Sequence, residues 1–192
     1  MKSIIKLFPL LSLTLLLSSC GYNEMVSQQE GVDQAWANVQ SAYQRRADLI
    51  PNLVNTVNGY ADFEQETLTK VIEARAKATQ TIIDPSNLTP EKLKQFQQVQ
   101  GQLSGALSRL LVTVERYPDL KANQNFLELQ AQLEGTENRI NVERNKYNSA
   151  AKNYNTYIRQ FPRVIYAGWF DFDKKPYFEA DAGSEDAPTV EF

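Results

Sequence analysis

The chain has no histidine and a single cysteine, Cys20, and this removes most catalytic chemistry by elimination. Zinc sites built on thiolate or imidazole cannot be written, and neither can Ser-His or Cys-His nucleophile pairs. A ferritin-like di-iron centre fails as well, because its Glu-x-x-His motif has no histidine to close it. No metal and no other cofactor is therefore expected. Carboxylate chemistry alone stays open. Asp62, Glu64 and Glu66 lie close together, but acidic residues near a helix start ordinarily complement the macrodipole and face solvent, and they are read that way here.

Cys20 itself carries a different signal. It closes the tetrad Leu17-Ser18-Ser19-Cys20 behind an apolar run, Leu7 to Leu17, that follows Lys2 and Lys6. The arrangement resembles a bacterial lipoprotein signal peptide, in which the thiol is diacylated, the chain is cut just before the cysteine, and the new amino group usually receives another acyl chain. Residues 1–19 are expected to be removed, leaving Cys20 as a first residue bearing lipid such as palmitate. An uncleaved spanning helix needs about 20 apolar residues, whereas Pro9, Ser12 and Thr14 interrupt this run; its length and basic start suit a signal segment. An ordinary secretory signal would leave the thiol unexplained.

The formal charge is −3, and without Lys2 and Lys6 the remaining 18 Lys and Arg face 23 Asp and Glu, which makes it −5. That sign offers no global reason to bind nucleic acid or anionic headgroups. Membrane attachment must then come from acyl chains, each buried methylene contributing about 0.8 kcal/mol. Gly21 stands where, in a Gram-negative cell, Asp usually directs retention at the inner membrane. The outer membrane, on its periplasmic face, is the expected location in such a cell.

Beyond Cys20 the length suits one domain, and the composition favours helix, with no sustained strand alternation. Apolar residues keep a coiled-coil-like seven-residue register: Tyr22, Gln29, Trp36, Tyr43, Ile50 and Val57 on one line, and Met25, Val32, Val39, Arg46, Leu53 and Tyr60 three residues later. This predicts a first helix over about 22–58, bent near Pro51, with two helices meeting there as the fallback. Gly59 breaks the pattern, and Asp62 with Gln65 forms a capping-box pair for a second helix over about 62–83, facing inward with Leu68, Val71, Ile72, Ala78 and Ile82. Residues 84–87 read as a turn. Thr89 and Pro90 begin a third helix, about 90–115, with Leu93, Phe96, Leu103, Leu107, Leu110 and Val114 on its face.

A fourth helix, about 120–161, carries Phe126, Leu133, Ile140, Tyr147, Tyr154 and Phe161 at seven-residue intervals. Such stripes hide only against one another, and short connections favour an all-α, antiparallel up-down four-helix bundle over residues 20–162. Residues 163–192 follow as an aromatic segment and then an acidic, small-residue tail expected to be disordered.

Within this scheme Arg46 interrupts an apolar line. If the first and last helices lie antiparallel with Tyr22 level with Phe161, residues whose numbers sum to 183 share a height, which sets Arg46 opposite Glu137. An inward ion pair with Glu137 or, one turn along, Glu143 is expected, with Asp48 and Arg139 as further members, because a buried guanidinium needs a partner. The alternative is that Arg46 runs out to solvent along its aliphatic stem.

Asn141, Asn148 and Asn155 form a line beside the apolar stripe, although asparagine is disfavoured in helices by about 0.7 kcal/mol or less. They either bond across to a neighbouring helix, present amides to a partner or glycan, or simply face water. Trp169 and Phe170 belong to an aromatic patch from Ile165 to Phe172. It is read as extra core or as an apolar surface near the bilayer, where Trp and Tyr are at home.

Three segments, Gln44 to Val54, Leu120 to Leu127, and Thr136 to Ile140 with the later Tyr147-Asn148 and Tyr154-Asn155, resemble the LemA family of bacterial membrane-anchored proteins. The likeness runs from about Tyr22 to Phe172 and includes the closing Pro188 to Phe192. It implies a helical bundle at the bacterial envelope, without an established enzymatic activity or agreed catalytic residues. Many members start with a membrane helix instead of a lipobox, so the lipid anchor is a departure. Members are often encoded near membrane proteins with a small TPM-type domain or a membrane metalloprotease, which makes an envelope or membrane protein the expected partner. The resulting expectation is a lipid-anchored, non-enzymatic interaction scaffold or adaptor. The rivals are a carboxylate-dependent peptidoglycan hydrolase, which needs two inward carboxylates about 5 to 10 Å apart, and a passive spacer between membrane and wall.

Overall fold

The seven-residue lines fold as helices. A computed structural model describes residues 2–60 and 63–179, with side chains from residue 21 onward. Expectations resting on the side chains of Leu17, Ser18, Ser19 and Cys20, on Asp62, or on the tail at 180–192 lie outside the described residues. Within them the chain is all helical: α1 (Lys2–Asn58), α2 (Gln65–Gln80), a 3-10 turn (Pro85–Asn87), α3 (Pro90–Val114), α4 (Pro118–Lys121), α5 (Gln124–Arg159) and α6 (Arg163–Trp169).

α1 is continuous through Pro51. Proline removes the N–H that would bond the carbonyl four residues earlier, which belongs to Ala47. Arg75 of α2 takes that carbonyl instead, Nε donating at 2.8 Å. The fallback of two helices meeting at Pro51 is therefore not adopted.

α2 is shorter than expected at both ends. It starts at Gln65, with Glu64 in the cap position making no side-chain cap bond. The helix stops at Gln80, and the following extended residues change the phase of the stripe. Ile82 is left 79% exposed while Ile83 turns inward; Ile72 is also exposed. The Ile83 carbonyl accepts from Trp36 Nε1 and Gln40 Nε2, each at 2.9 Å.

α3 opens as its sequence suggests, with the Thr89 hydroxyl accepting from the Lys92 N–H at 3.3 Å and Pro90 in the first turn, and its six stripe residues are all buried. The last long helix begins four residues late. Pro118 starts the separate single turn α4, and the Asn123 side chain caps α5 by accepting from the Phe126 N–H at 3.1 Å. α5 then ends at Arg159, so its stripe closes at Tyr154 and Ile158, and Phe161 is 82% exposed instead of buried.

α1 packs along α5 and also against α2, which packs against α3. The α1–α5 pair runs antiparallel: Trp36 meets Tyr147 edge to face at 5.7 Å, and Arg46 meets Glu137. The core falls into two clusters. One, around Trp36, Phe96, Tyr147 and Tyr154, lies toward the start of α1; the other, around Ile50, Leu53, Leu103 and Leu110, lies beyond it.

The chain after α6 departs most from expectation. Residues 172–179 form an extended strap bonded to α5 and α3, with Phe178 buried, and are not disordered. They lie over Trp36 and Tyr147, whose rings give Phe178 a stacked and an edge-on neighbour at 5.9 and 5.4 Å.

Candidate functional site

Between the two core clusters lies a polar layer centred on Arg46, whose side chain is only 3% exposed. Nη1 donates to Glu137 Oε2 at 2.9 Å and to Ser104 Oγ at 2.8 Å. Nη2 reaches the Gln100 side-chain oxygen at 2.9 Å and its carbonyl at 3.3 Å. The guanidinium also sits 5.1 Å from the Tyr43 ring centre, while Nε is buried without a partner. The layer thus ties α1, α3 and α5 together.

Glu143 is buried too, but its bonds are local, to Arg139 at 2.8 Å and Lys146 at 3.1 Å on the same helix. Arg139 therefore serves Glu143 and does not extend the Arg46 pair. Asp48 is exposed and accepts from Gln44 Nε2 at 2.7 Å, so it does not join either. Gln100 was not picked out from the sequence, yet it occupies a core position between Phe96 and Leu103 on the α3 stripe, the same kind of interruption that marks Arg46.

The carboxylates near the start of α2 are engaged at the surface. Glu64 pairs with Arg116 at 2.8 Å, and Glu66 with Lys70, whose hydrogen bond and charge hold the Glu66 carboxyl below its ordinary value. Glu143 is the one buried carboxylate among the described residues. Its surroundings include a depression of about 350 Å³ lined by Arg45, Thr136 and Arg139, with no second carboxylate. Among the described residues no His, Cys, Asp and Glu group is arranged to hold a metal ion.

The asparagine line has a use that lies within the chain. Asn155 donates to the Lys175 carbonyl at 2.8 Å and accepts from the Lys175 N–H at 2.9 Å. Asn148 repeats this pairing with Phe178 at 3.1 and 2.9 Å. These two are taken by the strap and do not form an open interaction surface; Asn141, one heptad earlier, is exposed. Tyr147 donates to the Pro176 carbonyl at 2.9 Å, and the Glu179 carbonyl accepts from Gln97 of α3 and Arg144 of α5. Lys175 Nζ bonds Asp33 at 3.1 Å and the Pro85 carbonyl at 3.3 Å. Burial pushes the Tyr147 phenol well above its usual range and the Tyr154 phenol up to about 12, with the charges of Asp33 and of Asp173 together with Asp33, respectively, adding to the effect.

At the start of the described side chains, Tyr22 meets Phe170 and Phe172 edge to face at 5.0 and 5.6 Å. α6 therefore lies beside the residue two positions after Cys20. Ala167 is buried and Tyr166 and Phe172 pack on the core, while Trp169, at 72% exposed, and Phe170, Phe161, Val164 and Ile165 face outward. The aromatic segment is both things considered for it, core on one side and apolar surface on the other. No helix among the described residues is long and apolar enough to cross a membrane.

The LemA family model matches residues 35–192. Protein LemA of Metamycoplasma hominis is 30% identical over 158 residues, covering 82% of this chain and 68% of that protein. The chain is also similar to Magnetosome protein MamQ 2 of Paramagnetospirillum magneticum, 27% identical, and to Magnetosome protein MamQ of Magnetospirillum gryphiswaldense, 26% identical, each over 187 residues, 88% of this chain and 68% of the relative.

Proposed function

The chain belongs to the LemA family, and we propose that it is a non-enzymatic bacterial envelope protein, lipid-anchored through Cys20, that acts as an interaction scaffold or adaptor. In this reading residues 1–19 are a removed signal peptide, and residues 20–162 form an antiparallel four-helix up-down bundle. In a Gram-negative cell the protein stands on the periplasmic face of the outer membrane. Its partner is an envelope or membrane protein.

One observation carries the proposal: the outward aromatic surface of α6 sits against Tyr22, beside the residue that would bear the acyl chains. Exposed apolar patches mark protein or membrane contacts, and Trp beside Tyr suits the bilayer interface. Acyl chains hold the protein at the membrane while Trp169 and Phe170 set the angle at which the bundle stands. The hydrolase reading has no support in the site, since glycoside hydrolysis needs a pair of carboxylates and Glu143 is bonded to two cations.

Radiolabelled palmitate tests the anchor. Label is expected on the natural chain and not on Cys20→Ala, with the latter washing off membranes; equal labelling, or equal retention, refutes it. Crosslinking in intact cells tests the adaptor role, because a reproducible protein adduct is expected from an adaptor and none from a passive spacer.

A further inference from the structure

The strap is held largely through its main chain. Each asparagine of the Asn148–Asn155 pair reads both the N–H and the C=O of one strap residue, as a neighbouring strand would. Seven residues of helix rise about 10.5 Å and three residues of extended chain span about 10 Å, so the two amides and their targets stay in step. This pairing demands an extended ligand and no particular sequence.

Two side chains add selectivity. Lys175 is nearly buried against Asp33, and Phe178 is stacked on Trp36 under the Arg144 guanidinium, 5.0 Å from its ring centre. Tyr177 between them is 44% exposed, and only its hydroxyl is engaged, accepting from Asn155 Nδ2 at 3.0 Å. None of these contacts requires the strap to be continuous with α6. The link between them passes through Asp171 at φ 55°, a left-handed conformation that a released strap would not have to keep.

We propose that the groove along α5, with Asp33 and Trp36 of α1 as its other side, is a peptide-binding site for an extended segment with lysine at one position and phenylalanine three residues later. Residues 175–178 of the chain itself occupy it in cis until a partner protein's segment of that kind displaces them. The proposal deepens the adaptor reading by giving the partner's chemistry, and its test needs neither lipid anchor nor membrane.

The probe is a synthetic peptide copying residues 174–179, titrated into the full chain in detergent micelles. A Trp169→Phe background leaves Trp36 as the only tryptophan, and its emission reports on the ring that stacks on it. In a Phe178→Ala chain, whose own strap is weakened, a saturable change is expected. The natural Phe178 chain should bind about tenfold more weakly, because its own strap competes. Replacing lysine or phenylalanine in the peptide removes one anchor, and Asn148→Ala or Asn155→Ala in the chain removes two or three hydrogen bonds; each should cost about tenfold.

Asp33→Lys guards against variants that lose binding by misfolding. It should reject the natural peptide and accept one with glutamate in place of Lys175. No saturable change up to millimolar peptide, the same midpoint with either residue at 178, or failure of the charge reversal overturns the proposal. A negative titration leaves palmitate labelling and cellular crosslinking as they were, so failure of the groove is distinguishable from failure of the anchor or adaptor.

Discussion

Removing the Glu137 carboxylate should destabilise the fold more than removing the buried charge it serves. Arg46 is sealed from water, while the Glu137 side chain is 48% exposed. Breaking a fully buried pair by deleting one partner costs about 3 to 5 kcal/mol. Here Gln100 and Ser104 still bond the guanidinium, which lowers the expected cost of Glu137→Ala to about 2 to 3 kcal/mol, or about 5 to 10 °C in Tm for a domain of this size. Arg46→Met keeps most of the volume and lets Glu137 return to solvent, at about 1 to 2 kcal/mol, mainly for the Gln100 oxygen left behind. The double variant should cost no more than Arg46→Met alone, since without the guanidinium the carboxylate has nothing to serve. Urea unfolding followed by circular dichroism measures all three, and high salt should leave the order unchanged because the contact is little screened. A Glu137→Ala cost under about 0.5 kcal/mol, or strict additivity in the double variant, would show that Arg46 is held by its neutral partners alone.

Tyr154 tests the price of an unmet polar group: its hydroxyl is buried with no hydrogen-bond partner, so Tyr154→Phe should stabilise the protein by about 1 kcal/mol in the same unfolding assay. The raised phenol values of Tyr147 and Tyr154 mean that the folded state holds these protons more tightly than the unfolded chain, whose tyrosines titrate near 10. Their contribution is whole below pH 10 and is lost as pH rises toward 12; thermal melts from pH 8 to 12 should show this slope, shallower in Tyr154→Phe. Leu103→Ala in the sealed core of α3 should cost about 3 kcal/mol, whereas Ile82→Ser, at a position assigned to the core by periodicity alone, should stay within about 0.5 kcal/mol. Phe178→Ala should speed amide hydrogen exchange in α6 and the first turns of α1 after residue 21, and leave α2 near Val71 unchanged; equal acceleration in both places would contradict the division of the core.

The long helices were legible because each buried stripe is written locally, at seven-residue spacing, and the α3 face from Leu93 to Val114 needs nothing else. What escaped depends on residues far apart in the chain. Pro51 reads as a break until Arg75 of α2 takes the carbonyl it frees, and nothing near Pro51 announces that donor. The end of α2 misleads because Ile82 and Ile83 are equally apolar, and only the claim of Trp36 and Gln40 on the Ile83 carbonyl decides which turns inward. The asparagine line was visible as a period, but its ligand lies 20 to 30 residues downstream in a stretch whose composition reads as disordered. Phe178 beside Tyr177 was the one apolar clue there. Gln100 shows that the signal used for Arg46, a polar residue in a core position, held for α3 as well and went unread.

The division of the core bears on how the two ends of the molecule communicate. Arg46 and Gln100 lie between the cluster holding Trp36, Tyr147, Phe178 and Ala167 and the one holding Leu53, Leu103 and Phe126. Apolar stripes alone would tolerate a slip of one heptad between α1 and α5, because each seventh residue is much like the last. A guanidinium that finds its acceptors at one level only does not tolerate it, which is the role best attested for a buried polar group. The same layer puts the strap and the aromatic surface of α6 in a single cluster, since Phe178 and Ala167 are packed into it together. Loosening the strap must then be felt at α6, beside Tyr22, before it reaches α2. A segment that displaced residues 175–178 would act on the end of the molecule nearest the proposed anchor, so on that proposal occupancy of the groove and the stance of the protein on a membrane would be coupled through shared packing.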